Sequence, residues 1–178
     1  MQRRPSDLEN KLLLLHAVDR LGAVTAPQLL AFMAENDGMD YITLQLCLAE
    51  LDDAGLLRRR PHALGMLYTL TGEGLDTLSM FRARVPHSRL EGINRVADNW
   101  RIRFRRERQM LSDFERAPNG DYAVRLRVME RNEPLLDMTI SVPTHGQAQR
   151  MCDAWAARAG DIYAHIMHAL GEEQTPQK

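Results

Sequence analysis

The residues with the clearest chemical use lie between Tyr41 and His62. Thr43 and Gln45 are types that reach base edges: a glutamine amide pairs with adenine, and a threonine hydroxyl contacts a base or a phosphate. Tyr41 adds a phenol able to meet a phosphate. Arg58, Arg59, Arg60 and His62 follow, suited to tracking a phosphate backbone or minor groove. Arg3 and Arg4 could serve as an N-terminal arm. This is the chemistry of holding double-stranded DNA, not of making or breaking bonds. Metal and catalytic patterns are missing. His165 and His168 stand three apart and Cys152 lies 13 residues before His165, which is no zinc spacing, and no complementary cysteine pair exists. His16 and His145 are read as incidental. Gly72-Glu73-Gly74 lacks the context of a phosphate-cradling loop. No Ser or Cys has the signature of an activated nucleophile. The sequence predicts neither an enzyme nor a resident cofactor or metal.

Elements to position those residues are well marked. A Ser or Thr with Glu or Gln three residues on forms a capping box at Ser6–Glu9, Thr25–Gln28, Ser88–Glu91 and Thr144–Gln147. The first helix runs over 6–21, with Leu8, Leu12, Leu15 and Val18 on successive turns and Gly22 as its stop. A second follows Thr25, with Pro27 in its first turn. A third covers 40–54, capped by Asp40 and stopped by Gly55. The runs 56–60 and 66–70 flank a Pro61–Gly65 turn and read as a hairpin. Thr71 then caps a fourth helix, which ends before Pro86. Three helices and a hairpin are the order of a winged helix. The spacings Leu48-x-x-Leu51-x-x-x-Gly55-Leu56 and Tyr68-x-Leu70-Thr71-x-x-Gly74 support it.

The charge balance is uneven. Lys+Arg total 23 and Asp+Glu 24, a formal charge of −1, which excludes a globally basic binder. Yet residues 1–81 carry −4, residues 82–116 carry +5 and residues 117–178 carry −2. The basic middle falls on a long predicted helix, 88–116. Its stripe of Leu90, Ile93, Ala97, Trp100, Phe104 and Leu111 steps in heptad fashion, as a homodimer interface would. Arg95, Arg101, Arg103, Arg105, Arg106 and Arg108 lie mostly off the stripe and read as a solvated face or as an auxiliary nucleic-acid surface. The stripe could also pack within the chain, on the hairpin or on helix four.

After Pro118-Asn119-Gly120, Tyr122, Val124, Leu126 and Val128 alternate, as do Leu136, Met138, Ile140 and Val142. They predict a second hairpin with one apolar face. The helix over 145–170 supplies its cover through Ala148, Met151, Trp155, Ala159, Ile162 and Ile166. Met129, Met138, Met151, Trp155 and Tyr163 could line a ligand pocket, though such residues ordinarily form core. The fold class expected is α+β: an N-terminal winged helix-turn-helix (6–85), a long linking or dimerisation helix (86–117), and a β-hairpin covered by a helix (118–171). No apolar run reaches membrane-spanning length. Cys47 and Cys152 are far apart and read as reduced, and the N-terminus shows no signal pattern, so a cytoplasmic location is expected.

The chain resembles a bacterial family known as domain of unknown function 4364. The matching stretches are Asn10-Lys11-Leu12-Leu13-Leu14-Leu15, Tyr41-Ile42-Thr43-Leu44-Gln45, Leu48-Ala49-Glu50-Leu51, Ala54-Gly55-Leu56-Leu57, and Ser141-Val142-Pro143 leading into Trp155 and Ile162-Tyr163. The resemblance covers about 8–170. It implies a winged-helix N-terminal half, an α/β C-terminal half and a role in transcription control, with no enzyme activity. Leu46 stands where the family tends to be polar. The function expected is a dimeric, winged-helix DNA-binding transcriptional regulator. The alternative is a winged helix that binds a protein partner without specific DNA binding.

Overall fold

Ser6 and Thr25 start the first two helices as their spacing predicts. In each, the hydroxyl accepts the amide three residues on, and that residue's side chain accepts the cap's own amide. The structure is a computed structural model that describes residues 6–130 and 133–171; the proposed arm at Arg3 and Arg4 and the tail from 172 lie outside the described residues. The chain divides after Phe104 into two units. It is a mixed α+β protein with two small antiparallel sheets.

In the first unit, α1 (Asp7–Leu21), α2 (Ala26–Asn36) and α3 (Tyr41–Asp53) precede a hairpin of β2 (Leu57–His62) and β3 (Gly65–Leu70). Then come α4 (Gly72–Phe81), a single 3-10 turn over Arg82–Arg84, and α5, which begins at His87. A two-residue strand, β1 (Val24–Thr25), pairs with Leu67 and Tyr68, so the sheet order is β1-β3-β2. This strand is not legible in the sequence, because two residues carry no period. α1 is buried almost all round: Leu12 to Leu15, His16, Ala17, Val18 and Leu21 are all covered. α1 is therefore the central rod against which the other elements bury their apolar stripes.

The Gly55 and Gly74 spacings have a shared cause. Gly55 ends α3 with a φ of 71°, where the Leu56 amide turns back to the Leu51 carbonyl and closes a Schellman-type cap. Thr71 then bonds in two directions. Its hydroxyl donates to the Gly55 carbonyl at 2.8 Å and accepts the Gly74 amide at 3.0 Å. That draws the start of α4 onto the turn after α3. A Cβ on Gly74 would sit 2.1 Å from the Leu56 carbonyl oxygen, so only glycine fits there.

The long helix ends earlier than its predicted 88–116 span. α5 runs His87–Gln109, and Met110–Arg116 is a strand, β4. Leu111 and Phe114 match a helical step of three. The period that governs here is two: Met110, Ser112 and Phe114 face the same way as Val128, Leu126 and Val124 opposite them. Ser88 lies inside the first turn of α5 and is not its cap. The second unit thus holds a three-stranded sheet, not a hairpin. β4 is joined by β5 (Tyr122–Glu130) and β6 (Glu133–Val142) in the order β4-β5-β6. α6 (His145–Gly171) lies across β4 and β5 and has less contact with β6. Its core is small: Val124, Leu126, Val128, Ala148, Trp155 and Ala159. Among the described residues, no helix is long and apolar enough to cross a membrane.

Candidate nucleic-acid interface

α3 buries Leu44, Cys47, Leu48 and Leu51 against α1 and α2 and presents its other side outward. Asp40 fixes where it begins. Its Oδ1 accepts the Thr43 amide and its Oδ2 accepts the Thr43 hydroxyl, each at 2.9 Å. These bonds hold the Asp40 carboxyl below its ordinary value, the backbone amide first among them. The one proton of the Thr43 hydroxyl is thereby committed to the helix cap, while its oxygen can still accept. Gln45 is half-buried and Tyr41 is 60 % exposed. Between them the outward face is apolar: Ile42 is 70 % and Leu46 60 % exposed.

The acids on α3 are largely engaged. Lys11 of α1 bridges Glu50 and, at 2.6 Å, Asp7, which raises the Lys11 ammonium above its ordinary value. Asp52 holds Arg59 at 2.7 Å. That pair separates the three arginines of β2 into two kinds. Arg59 points to the Asp52 side. Arg58 and Arg60, its neighbours on an alternating strand, point to the opposite face and are exposed, with no ion pair among the described residues. β2 is also the edge strand of its sheet. His62 has a structural bond of its own. It is half-buried, and its Nδ1 accepts the Leu64 amide at 3.2 Å, shaping the tip of the hairpin.

The turn before α3 is tied down by a residue that sequence reasoning missed. Arg89, in the first turn of α5, donates to Asp37 through Nε at 2.7 Å and through a terminal nitrogen at 2.5 Å. Both side chains are mostly buried, and a weaker bond of 3.4 Å reaches Asn10. Asp37 and Arg89 line a hollow of about 510 Å³ beside the start of α3. No local pattern could have signalled this pair, which spans 52 positions.

The apolar stripe of α5 is occupied from within the chain, which corrects the expected dimer seam. Leu90, Ile93, Ala97 and Phe104 are all buried in the core of the first unit, so a twin helix could reach them only by opening that core. Trp100 stands edge-on to Phe32, with ring centres 5.7 Å apart, and Arg103 lies over its ring at 5.0 Å. Leu111 is on β4 and is also buried. His16 of α1 meets Asn94 of α5 at 3.0 Å, and burial holds its imidazole below the ordinary value.

Of the suggested ligand-lining residues of the second unit, Met138, Met151, Trp155 and Tyr163 serve as core, and Met129 is partly buried outside that cluster. Trp155 is buried, and its indole N–H donates to the Arg127 carbonyl at 3.1 Å. Met138, Met151 and Tyr163 pack around it. Among the described residues, no three His, Cys, Asp or Glu side chains are grouped to hold a metal. Burial pushes the Cys47 thiol up to about 11 and raises that of Cys152, which keeps both protonated and unreactive.

A family model described as "Domain of unknown function (DUF4364)" matches residues 10–170, and the chain belongs to that family. No curated protein and no solved structure matches it.

Proposed function

We propose that the first unit is a winged helix that binds double-stranded DNA, and that the protein is a transcriptional regulator acting in the cytoplasm. In this reading α3 is the recognition helix and the β2–β3 hairpin the wing. The element order of three helices and a hairpin, with the short β1 completing the sheet, supports the winged helix. The observation that carries DNA binding is the exposure of Arg58 and Arg60 on one face of the strand beside α3, with no ion pair among the described residues. Phosphate contacts of this kind supply most non-specific affinity. Tyr41 and Gln45 are the contacts left to the helix, and Ile42 and Leu46 could meet thymine methyl groups.

The test is anisotropy titration of labelled genomic duplexes at several salt concentrations. Replacing both Arg58 and Arg60 by Ala should weaken binding at least tenfold and lower the salt slope by about two, one for each phosphate contact. Arg59→Ala should cost less, because Asp52 already holds that guanidinium. Equal affinity of the double variant, or no binding to any fragment at low ionic strength, would overturn the reading.

A second reading, a protein-binding winged helix, is favoured by one feature. The outward face of α3 exposes Tyr41, Ile42 and Leu46 and carries no Lys or Arg. Under that reading, Leu46→Asp would abolish partner capture, and duplex binding would be absent.

A further inference from the structure

The expected dimer seam on α5 is filled, yet the second unit leaves another surface open. β6 is the longest strand of its sheet and stands at its edge. Among the described residues, no backbone hydrogen bond outside the β5 ladder involves it. A bare edge is a row of unpaired amides and carbonyls, and proteins that stay monomeric commonly blunt it with Lys, Pro or a bulge. β6 has Pro134 only at its start, and the sheet's register shift falls at Val128/Met129, near the hairpin end. From Leu135 to Val142 the edge is regular, and its one charge, Asp137, is held by Arg125 of β5 at 2.5 Å.

Two further observations point to what would cover it. The row Leu136, Met138, Ile140 and Val142 faces the same side as the core residues of β5, but α6 lies mainly over β4 and β5. Leu136, Met138 and Val142 are partly buried at the margin of the core, and Ile140 is left 37 % exposed. The second observation is the order of residues along the strand. Leu136-Asp137-Met138-Thr139-Ile140 reads apolar-polar-apolar-polar-apolar in both directions from Met138. A strand with that symmetry is complementary to its own reverse.

We propose that β6 is a self-association edge: two copies of the chain pair β6 with β6 in antiparallel fashion about a two-fold axis at Met138. The axis stands perpendicular to the sheet, so both copies keep their faces. A continuous six-stranded sheet results, with both α6 helices on one side. Leu136 then lies opposite the partner's Ile140, Met138 opposite the partner's Met138, and Asp137 opposite the partner's Thr139. No like charges meet. A register centred on Asp137 would instead oppose two carboxylates, and slippage by one residue would break the match of the apolar rows. The partly exposed row becomes the floor between two helices. A homodimer is the occupant, not an unrelated strand, because the pattern matches itself.

The register chooses the variant. Thr139 lies opposite Arg125 on β5 of its own chain, so Thr139→Asp places a carboxylate against a cation within the monomer. In the dimer, the same carboxylate meets the partner's Asp137. Light scattering of the full chain should give the mass of two chains for wild type and for Thr139→Asn, and of one chain for Thr139→Asp, whose far-ultraviolet circular dichroism should match wild type. A wild-type mass of one chain at micromolar concentrations, or a Thr139→Asp variant that stays dimeric, would overturn the proposal. Should Thr139→Asp fail to fold, Met138→Cys decides: mild oxidation should yield a disulfide-linked dimer that reductant reverses, and failure to crosslink contradicts the two-fold.

Discussion

α1 and α6 are both amphipathic helices laid on small sheets or bundles, but they end in opposite conditions. α1 has 15 residues and is enclosed on nearly every side. α6 has 27 residues, and only Ala148, Trp155 and Ala159 are fully buried. At the usual rises, α6 is about 40 Å long and β5 about 30 Å, so the helix outruns the strands it covers. Its last turns carry Met167 and Leu170 into solvent, the latter 82 % exposed. The first unit completes its core from its own chain. Exposed apolar side chains occur in both units: on α3, the β2–β3 hairpin and α4 in the first, and on β6 and the end of α6 in the second. The units differ instead in their centres: α1 is enclosed by the elements around it, whereas α6 covers only part of its sheet.

The contrast can be broken most severely from the first unit. Phe104 is buried at the end of the stripe in contact with Trp100, with ring centres 5.3 Å apart. Phe104→Ala should cost about 3–5 kcal/mol, read by denaturant unfolding, through lost transfer energy and the cavity left behind. A cost under about 1 kcal/mol would mean that the stripe is not core.

A smaller effect should appear with pH. His16 is buried against Asn94 and neutral, its imidazole lowered by burial and then by the nearby Arg82. Its folded value lies below its ordinary 6.5, so the unfolded chain takes up the proton first. The stability it supports is complete above that pH and falls as the pH drops below it. His16→Gln should flatten the stability profile between about pH 7 and 5. An unaltered slope would place the proton elsewhere. The smallest effect is expected at the far end of α6, where Leu170→Ala should shift unfolding by less than about 0.5 kcal/mol.

Much of this arrangement was legible. Asp40, Ser6 and Thr25 announced helix starts because caps are local chemistry, Gly55 marked the turn after α3, and Gly74 marked the close approach of α4 to Leu56. The alternation of β5 and β6 was plain. Two strands were missed for different physical reasons. β1 is too short to show a period, and β4 carries Leu111 and Phe114 at a spacing that a helix also satisfies. The site residues divided in the same way. Exposure of Tyr41 and of Arg58 and Arg60 follows from local pattern. The engagement of Thr43 by Asp40 and of Arg59 by Asp52, and the Arg89–Asp37 tie, depend on side-chain geometry and on partners brought close only by the fold. The α5 stripe had two readings, a twin helix or a core, because a heptad pattern records that a face is buried without recording by what.

The most direct measurement of the difference between the two units is amide hydrogen exchange followed as a function of protein concentration. α1 amides should exchange slowly at every concentration, since the first unit closes on itself. β6 amides should exchange quickly when the protein is dilute and become protected as it is concentrated, while those of β4, the opposite edge, should not change. Fast exchange of β6 at all concentrations, or equal protection of both edges, would contradict an open edge that a second copy completes.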